Sequence, residues 1–259
     1  MKRLAAAALL LAAAGCVRPA GPPPATGEVS PRTLDLFDEQ RGRAVPLRLY
    51  GSDRPRSRPL AIISHGYGGT SGAYSFIAEA LVQRGYFVVS IQHELPGDAP
   101  MPTEGEPQVV RRPFWERGAG TIDYVIDTFR GNEARRTPVL LIGHSNGGDM
   151  SMLYAARRPE RVSAVFSLDS RRFPFPRTRR PRICSARSSD QAADPGVLPS
   201  PDVQARLGMV IERVPVIHND MWNGASTAQK AAMLAVLERC LVPPHREMGR
   251  GTMRSMVER

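Results

Sequence analysis

From Leu60 onward the chain alternates short, near-continuous apolar runs with longer stretches in which apolar positions recur every three to four residues. The runs are Leu60 to Ser64, Tyr86 to Ile91, Val139 to Ile142, Val162 to Leu168, Ile183 to Ala186 and Val210 to Ile217. A short run without polar alternation suits a strand covered on both faces, and the intervening period predicts helices over 73–84, 114–130, 146–158 and 226–240. Strands and helices that alternate in this way make a mainly parallel central sheet with helices on both faces, an α/β architecture. Ahead of it, Leu34-Asp35-Leu36-Phe37 and Val45-Pro46-Leu47-Arg48-Leu49-Tyr50 alternate around a polar turn with Gly42, which predicts an N-terminal β-hairpin. No internal repeat is apparent. Three long connections rich in Pro, Arg or Asp, residues 95–113, 171–182 and 190–208, are expected to be loops. In an open α/β sheet the ligand lies at the carboxyl ends of the strands, so such loops choose the substrate.

The first residues follow a different pattern. Met1-Lys2-Arg3, an apolar stretch from Leu4 to Ala14 and then Gly15-Cys16 have the basic and apolar regions of a secretory signal, too short for a permanent membrane helix. Residues 1–15 are therefore expected to be a signal peptide. Ala13, Ala14 and Gly15 before Cys16 resemble a bacterial lipobox, with Ala13 where that pattern more often has leucine. Cys16 would then carry lipid, and the proline-rich residues 16–32 would tether a domain over 33–241 to a membrane of the bacterial cell envelope. Residues 242–259 read as a polar tail.

At 259 residues the chain is long enough for one sizeable core and is expected to form a single domain after the tether. The formal charge of +10 raises the question of a nucleic-acid partner. The basic residues, all arginine except Lys2 and Lys230, are scattered among acids without a stripe of interleaved aromatics, so no nucleic acid is expected. In an oxidising compartment, Cys184 and Cys240 form either a disulfide or two buried thiols, and sequence does not measure their separation.

Candidate chemistry centres on Thr137 to Gly148, an apolar run that stops at Gly143-His144-Ser145-Asn146-Gly147. A buried strand that ends in Gly-x-Ser-x-Gly and turns at once into a helix holds the serine in a strained corner, with small residues two before and two after it. Ser145 is the candidate nucleophile. The first core run ends in His65-Gly66-Tyr67-Gly68-Gly69, a turn that can aim a backbone N–H at a developing oxyanion. The candidate donors are the N–H groups of Tyr67 and Asn146.

Of the five histidines, His65 and His144 belong to the glycine turns, His93 ends a strand and His245 lies in the tail. His218 follows the last apolar run and precedes the final helix, which gives the order Ser, Asp, His of α/β-hydrolases. Two acids compete to orient it: Asp169, 24 residues after Ser145, and Asp190 at the end of the next strand. Gly66-Tyr67-Gly68 also imitates a dinucleotide-binding turn with Glu94 as ribose ligand, but Ser71 replaces the third glycine and Glu94 lies 28 residues beyond Gly66. His93, Glu94 and Asp98 lack the spacing of a metal site, and neither metal nor cofactor is expected.

Gly143-His144-Ser145-Asn146-Gly147-Gly148, His65-Gly66-Tyr67-Gly68-Gly69, the segment Tyr74 to His93, and Leu168-Asp169-Ser170 with Phe173-Pro174 resemble plasma-type platelet-activating factor acetylhydrolases and their bacterial relatives. The resemblance spans roughly residues 58 to 240. It implies an α/β-hydrolase fold, a serine esterase acting on short-chain or lipid-derived esters, and the acid at Asp169 over Asp190. The loops 95–113 and 171–182 show no such agreement. Polyester-cleaving and dienelactone-type relatives share the frame, the latter with cysteine as nucleophile. The competing class is an envelope protein that keeps the fold for binding without catalysis.

Overall fold

The computed structural model describes residues 30–51, 55–131 and 136–242. The expected signal segment, Cys16, most of the tether, the tail beyond Val242 and His245 lie outside the described residues. The hairpin opens the domain with β1 (Arg32–Asp38) and β2 (Arg43–Tyr50), paired antiparallel. Arg32, placed at the end of the tether by sequence, already belongs to β1.

The core strands follow as β3 (Leu60–Ser64), β4 (Phe87–Ile91), β5 (Val139–His144), β6 (Val162–Leu168), β7 (Arg182–Arg187) and β8 (Val210–Arg213). The helices are α1 (Ser75–Gln83), α2 (Pro107–Val110), α3 (Arg112–Phe129), α4 (Asn146–Arg157), α5 (Pro201–Leu207) and α6 (Thr227–Leu241). One eight-stranded sheet runs in the order β1-β2-β4-β3-β5-β6-β7-β8. The hairpin joins it antiparallel through β2 and β4, and every pairing from β4 to β8 is parallel.

Alternate residues of each strand enter opposite layers. Leu60, Ile62, Leu141 and Val165 pack with Trp115 and Ile122 of α3 and Leu153 of α4. Ala61, Ile63, Leu140, Ile142 and Phe166 pack with Ile77 and Leu81 of α1 and Met233 and Leu237 of α6. Apolar side chains on both faces explain the near-continuous apolar runs of β3, β4 and β5. Cys184 of β7 and Cys240 of α6 are joined in a disulfide, with Cα atoms 5.9 Å apart. Among the described residues no helix is long and apolar enough to cross a membrane.

Two expectations are corrected. The run Val210 to Ile217 is strand only to Arg213, because Pro215 has no N–H for the ladder. Beyond it single bonds keep the chain beside β7: Val214 N–H donates to Arg187 O at 2.9 Å and Ser189 N–H to Val216 O at 2.9 Å. The connections 95–113 and 190–208 are not wholly loop, since α2 and α5 lie within them, each opened by a proline at its first turn.

Candidate active site

Ser145 sits between β5 and α4 with φ 49° and ψ −119°, a strained conformation for a residue with a side chain. The corner closes because its neighbours are glycines. A Cβ on Gly143 would lie 2.3 Å from Gly147 O, and one on Gly147 would lie 2.2 Å from Ser64 O and 2.4 Å from His65 O. Those contacts are with backbone, which cannot swing aside. Ser145 N–H donates to Leu168 O at 2.9 Å, which ties the corner to the end of β6.

The next residue along β6 is Asp169, also at positive φ (52°), fully buried, with its N–H on Ala186 O at 3.0 Å. This aims its carboxylate across the strand ends. His218 Nδ1–H donates to Asp169 Oδ2 at 2.6 Å, and His218 Nε2 lies 3.0 Å from Ser145 Oγ. The structure thus brings Ser145, His218 and Asp169 into one hydrogen-bonded line. Burial alone would raise the Asp169 carboxyl, but the bond from His218 and the charge of Arg187 outweigh it and hold the group below the usual carboxylate range.

Asp190 does not reach the imidazole. Its Oδ1 accepts the backbone N–H of His218 at 2.7 Å, fixing where the histidine leaves the chain. Asn223 anchors the same segment from the other side, its N–H on Ala73 O at 2.9 Å and its Nδ2 on Gly72 O at 2.8 Å.

The two glycine turns are joined beneath the surface. His144 Nε2–H donates to His218 O at 3.1 Å, so its Nδ1 accepts the Tyr74 hydroxyl at 2.7 Å, and Gly66 N–H reaches the same hydroxyl at 3.4 Å. Burial, reinforced by the neighbouring His218, pushes His144 down to about 3, so it stays neutral in this chain of bonds. His65 is held likewise: Nδ1–H donates to Gly66 O at 2.8 Å and Nε2 accepts His93 N–H at 2.9 Å.

For the candidate oxyanion donors, Asn146 N–H is the first of α4 and has no acceptor within the helix. Among the described residues none accepts from Tyr67 N–H, whereas Gly68 N–H is held by Glu94 Oε2 at 2.7 Å and Gly69 N–H by Gly66 O at 2.9 Å. Glu94, the rival ribose ligand, is thereby engaged in the turn itself. Asp98 pairs with Arg43 at 2.6 Å, and no group of three His, Cys, Asp or Glu among the described residues could hold a metal ion.

Sequence reasoning missed Arg187. Its side chain is 8% exposed, with NH2 2.7 Å from Asp169 Oδ1 and NH1 on Ser170 O. An arginine at the end of a buried strand is a signal in itself, because such a charge is buried only beside a partner. Trp115 of α3 is fully buried in the core. Its Nε1–H also donates to Asn146 Oδ1 at 3.0 Å and so steadies the residue after the serine.

Residues 55–168, less than half of the chain, match the family described as Serine aminopeptidase, S33. No curated protein sequence matches the chain. Among solved structures, one of two esterases from the fungus Rhizomucor miehei is 12% identical with TM-score 0.58, over 84% of this chain and 83% of that one. A dienelactone hydrolase-like promiscuous phosphotriesterase from metagenomic libraries is 14% identical with TM-score 0.56, over 83% and 97%. A predicted CIB-like hydrolase from Thermoplasma acidophilum is 17% identical with TM-score 0.55, over 82% and 100%. The chain spans under half the length of two others it matches, a thioesterase domain from the curacin biosynthetic pathway (46%) and an epoxide hydrolase from Mycobacterium thermoresistibile (41%). The three longer alignments share the α/β-hydrolase fold with this chain.

Proposed function

We propose that this chain, an α/β-hydrolase by fold, is a serine hydrolase of carboxylic esters that works through an acyl-enzyme. The observation that carries the reading is the line Ser145 Oγ, His218 Nε2 (3.0 Å), His218 Nδ1, Asp169 Oδ2 (2.6 Å) at a strained strand-to-helix corner. Ser145 Oγ attacks the ester carbonyl while His218 Nε2 takes its proton. Asp169 holds the imidazole with its proton on Nδ1 and stabilises the imidazolium. The N–H groups of Tyr67 and Asn146 receive the oxyanion of the tetrahedral intermediate. His218 returns the proton to the departing alcohol, and a water activated by the same histidine then releases the acid.

The resemblance of the two glycine turns and of Leu168-Asp169-Ser170 to platelet-activating factor acetylhydrolases supports a short-chain or lipid-derived ester. Export is part of the proposal: the Cys184–Cys240 disulfide suits an oxidising compartment, and Cys16 is the proposed lipid anchor. Cys16→Ser then moves the protein from the membrane fraction to the soluble one, and unchanged fractionation refutes the anchor.

The test of activity is a panel of 4-nitrophenyl esters with acyl chains of about two to twelve carbons, run beside aminoacyl 4-nitroanilides. Hydrolysis of at least one ester, abolished by Ser145→Ala, is expected. No ester hydrolysis, or full activity in Ser145→Ala, overturns the reading.

A further inference from the structure

Two of the long connections meet on the helix that follows Ser145. Asp149, one turn into α4, accepts Arg172 N–H at 3.2 Å and Phe173 N–H at 2.9 Å on its Oδ1 and so clasps the segment after Asp169. Gln108 of α2 donates to Arg172 O, and Trp115 of α3 stacks edge-on to Phe173 at 5.7 Å while bonding Asn146. Arg111, at the α2–α3 junction, and Arg171 are each partly buried and near enough for the charge of Arg171 to act on Arg111.

The neighbouring arginines have acids. Arg172 pairs with Asp194 at 3.1 Å, Arg187 with Asp169 at 2.7 Å and Arg112 with Glu116 at 3.0 Å. Among the described residues, no acid or other acceptor lies within bonding distance of the guanidinium of Arg111 or of Arg171, and Arg171 Nε is shielded from solvent without an acceptor. They also feel each other: burial lowers Arg111 from its ordinary value, the charges of Arg172 and Arg171 lower it further, and those of Asp149 and Asp194 offset this only in part. The charge of Arg171 reaches His144 and Arg187 as well. Asp149 is a poor counter-ion, since its Oδ1 already serves two backbone donors and burial pushes its carboxyl up to about 7. Two cations gathered in partly desolvated space without a carboxylate of their own make a receptor for an oxyanion, and guanidinium forks match carboxylate and phosphate in geometry.

We infer that Arg111 and Arg171 form a subsite, beside the nucleophile, for an anionic carboxylate or phosphate group carried by the ester substrate. The inference rests on the serine-hydrolase reading and narrows it to anionic esters. Arg171 lies two residues after Asp169 and its charge reaches His144, the neighbour of Ser145, which places the anionic group on the same side of the sheet as the scissile ester.

The experiment compares matched pairs: mono-4-nitrophenyl glutarate against 4-nitrophenyl butyrate, and 1-butyrylglycerol 3-phosphate against 1-butyrylglycerol. The expected result is a kcat/KM about tenfold or more higher for the anionic member of at least one pair, and which pair shows it separates carboxylate from phosphate. Arg111→Gln and Arg171→Gln each reduce that ratio about tenfold, Arg171→Lys restores part of it, and Arg177→Gln, on an exposed arginine, leaves it unchanged. Should the Gln variants fail to fold, competitive inhibition of the wild type by glutarate or glycerol 3-phosphate, and not by glutaramide, supports the subsite. Equal rates within both pairs, or ratios indifferent to both substitutions, overturn the subsite while ester hydrolysis stands. Failure of every ester, together with no labelling of Ser145 by a fluorophosphonate, overturns the hydrolase reading and the subsite with it.

Discussion

Asp169→Asn separates two tasks that meet on one buried carboxylate. Oδ2 holds His218 Nδ1–H at 2.6 Å, and Oδ1 faces Arg187 at 2.7 Å and accepts Ser188 N–H at 3.1 Å. An asparagine that turns its NH2 toward His218 forces the imidazole proton onto Nε2, where it can no longer accept from Ser145. The expected loss in kcat is about 10⁴-fold, or ~5.5 kcal/mol of transition-state stabilisation. The same change leaves Arg187, 8% exposed, without its carboxylate, so the fold also loses about 3 kcal/mol or more. Steady-state kinetics on the best 4-nitrophenyl ester read the first effect, and urea unfolding reads the second. The double variant Asp169→Asn/Arg187→Met removes the orphaned charge; it recovers stability and leaves kcat low. Asp190→Asn keeps an amide oxygen for His218 N–H, so kcat changes by about threefold at most. Should Asp169→Asn stay within about tenfold of the wild type, or Asp190→Asn prove the more damaging, the assignment of the acid is wrong.

Gly147→Ala puts a Cβ 2.2 Å from Ser64 O, so α4 must move by about 1 Å; a loss of about 100-fold in activity and up to ~3 kcal/mol in stability is expected, and wild-type kinetics would refute the packing argument. Asp149, raised by burial to about 7, holds a proton in the folded state that the unfolded chain releases above about pH 4. Its contribution to stability is therefore complete at acid pH and is lost as pH rises toward 7, so Asp149→Asn gains stability relative to the wild type between pH 5 and pH 7.5; parallel urea curves at the two pH values contradict this. Reducing Cys184–Cys240, 56 residues apart, lowers stability by ~2–4 kcal/mol in urea unfolding monitored with a thiol count, and no change would mean that the pair does not constrain the unfolded chain.

The sheet and its large helices were legible because strands covered on both faces are spelled as near-continuous apolar runs, as in Leu60 to Ser64 and Val162 to Leu168. Where apolar spelling and hydrogen bonding part company, as at Pro215, the pattern overshot the end of β8. The helices α2 and α5 are too short to show a period, although Ser200-Pro201 carries the signal of a helix start. The corner at Ser145 was readable from its glycines because the constraint is local: their missing side chains make room for the strand and helix to pass.

Asp169 and Asp190 look alike in sequence, each at the end of an adjacent strand. Their difference lies in a positive φ that turns one carboxylate toward the imidazole while the other takes the backbone N–H of the same histidine. The pairing of Cys184 with Cys240, the ion pair of Arg187 and the two arginines without acids depend on which loops meet in space. A single sequence carries no signal for such meetings.

In the proposed mechanism Ser145 is a nucleophile activated by His218. Mass spectrometry of the protein treated with a fluorophosphonate probes that nucleophile. One adduct per chain is expected on the peptide that contains Ser145, absent in Ser145→Ala and formed far more slowly in His218→Gln. No adduct on the folded wild type, or an adduct that persists unchanged in Ser145→Ala, contradicts it.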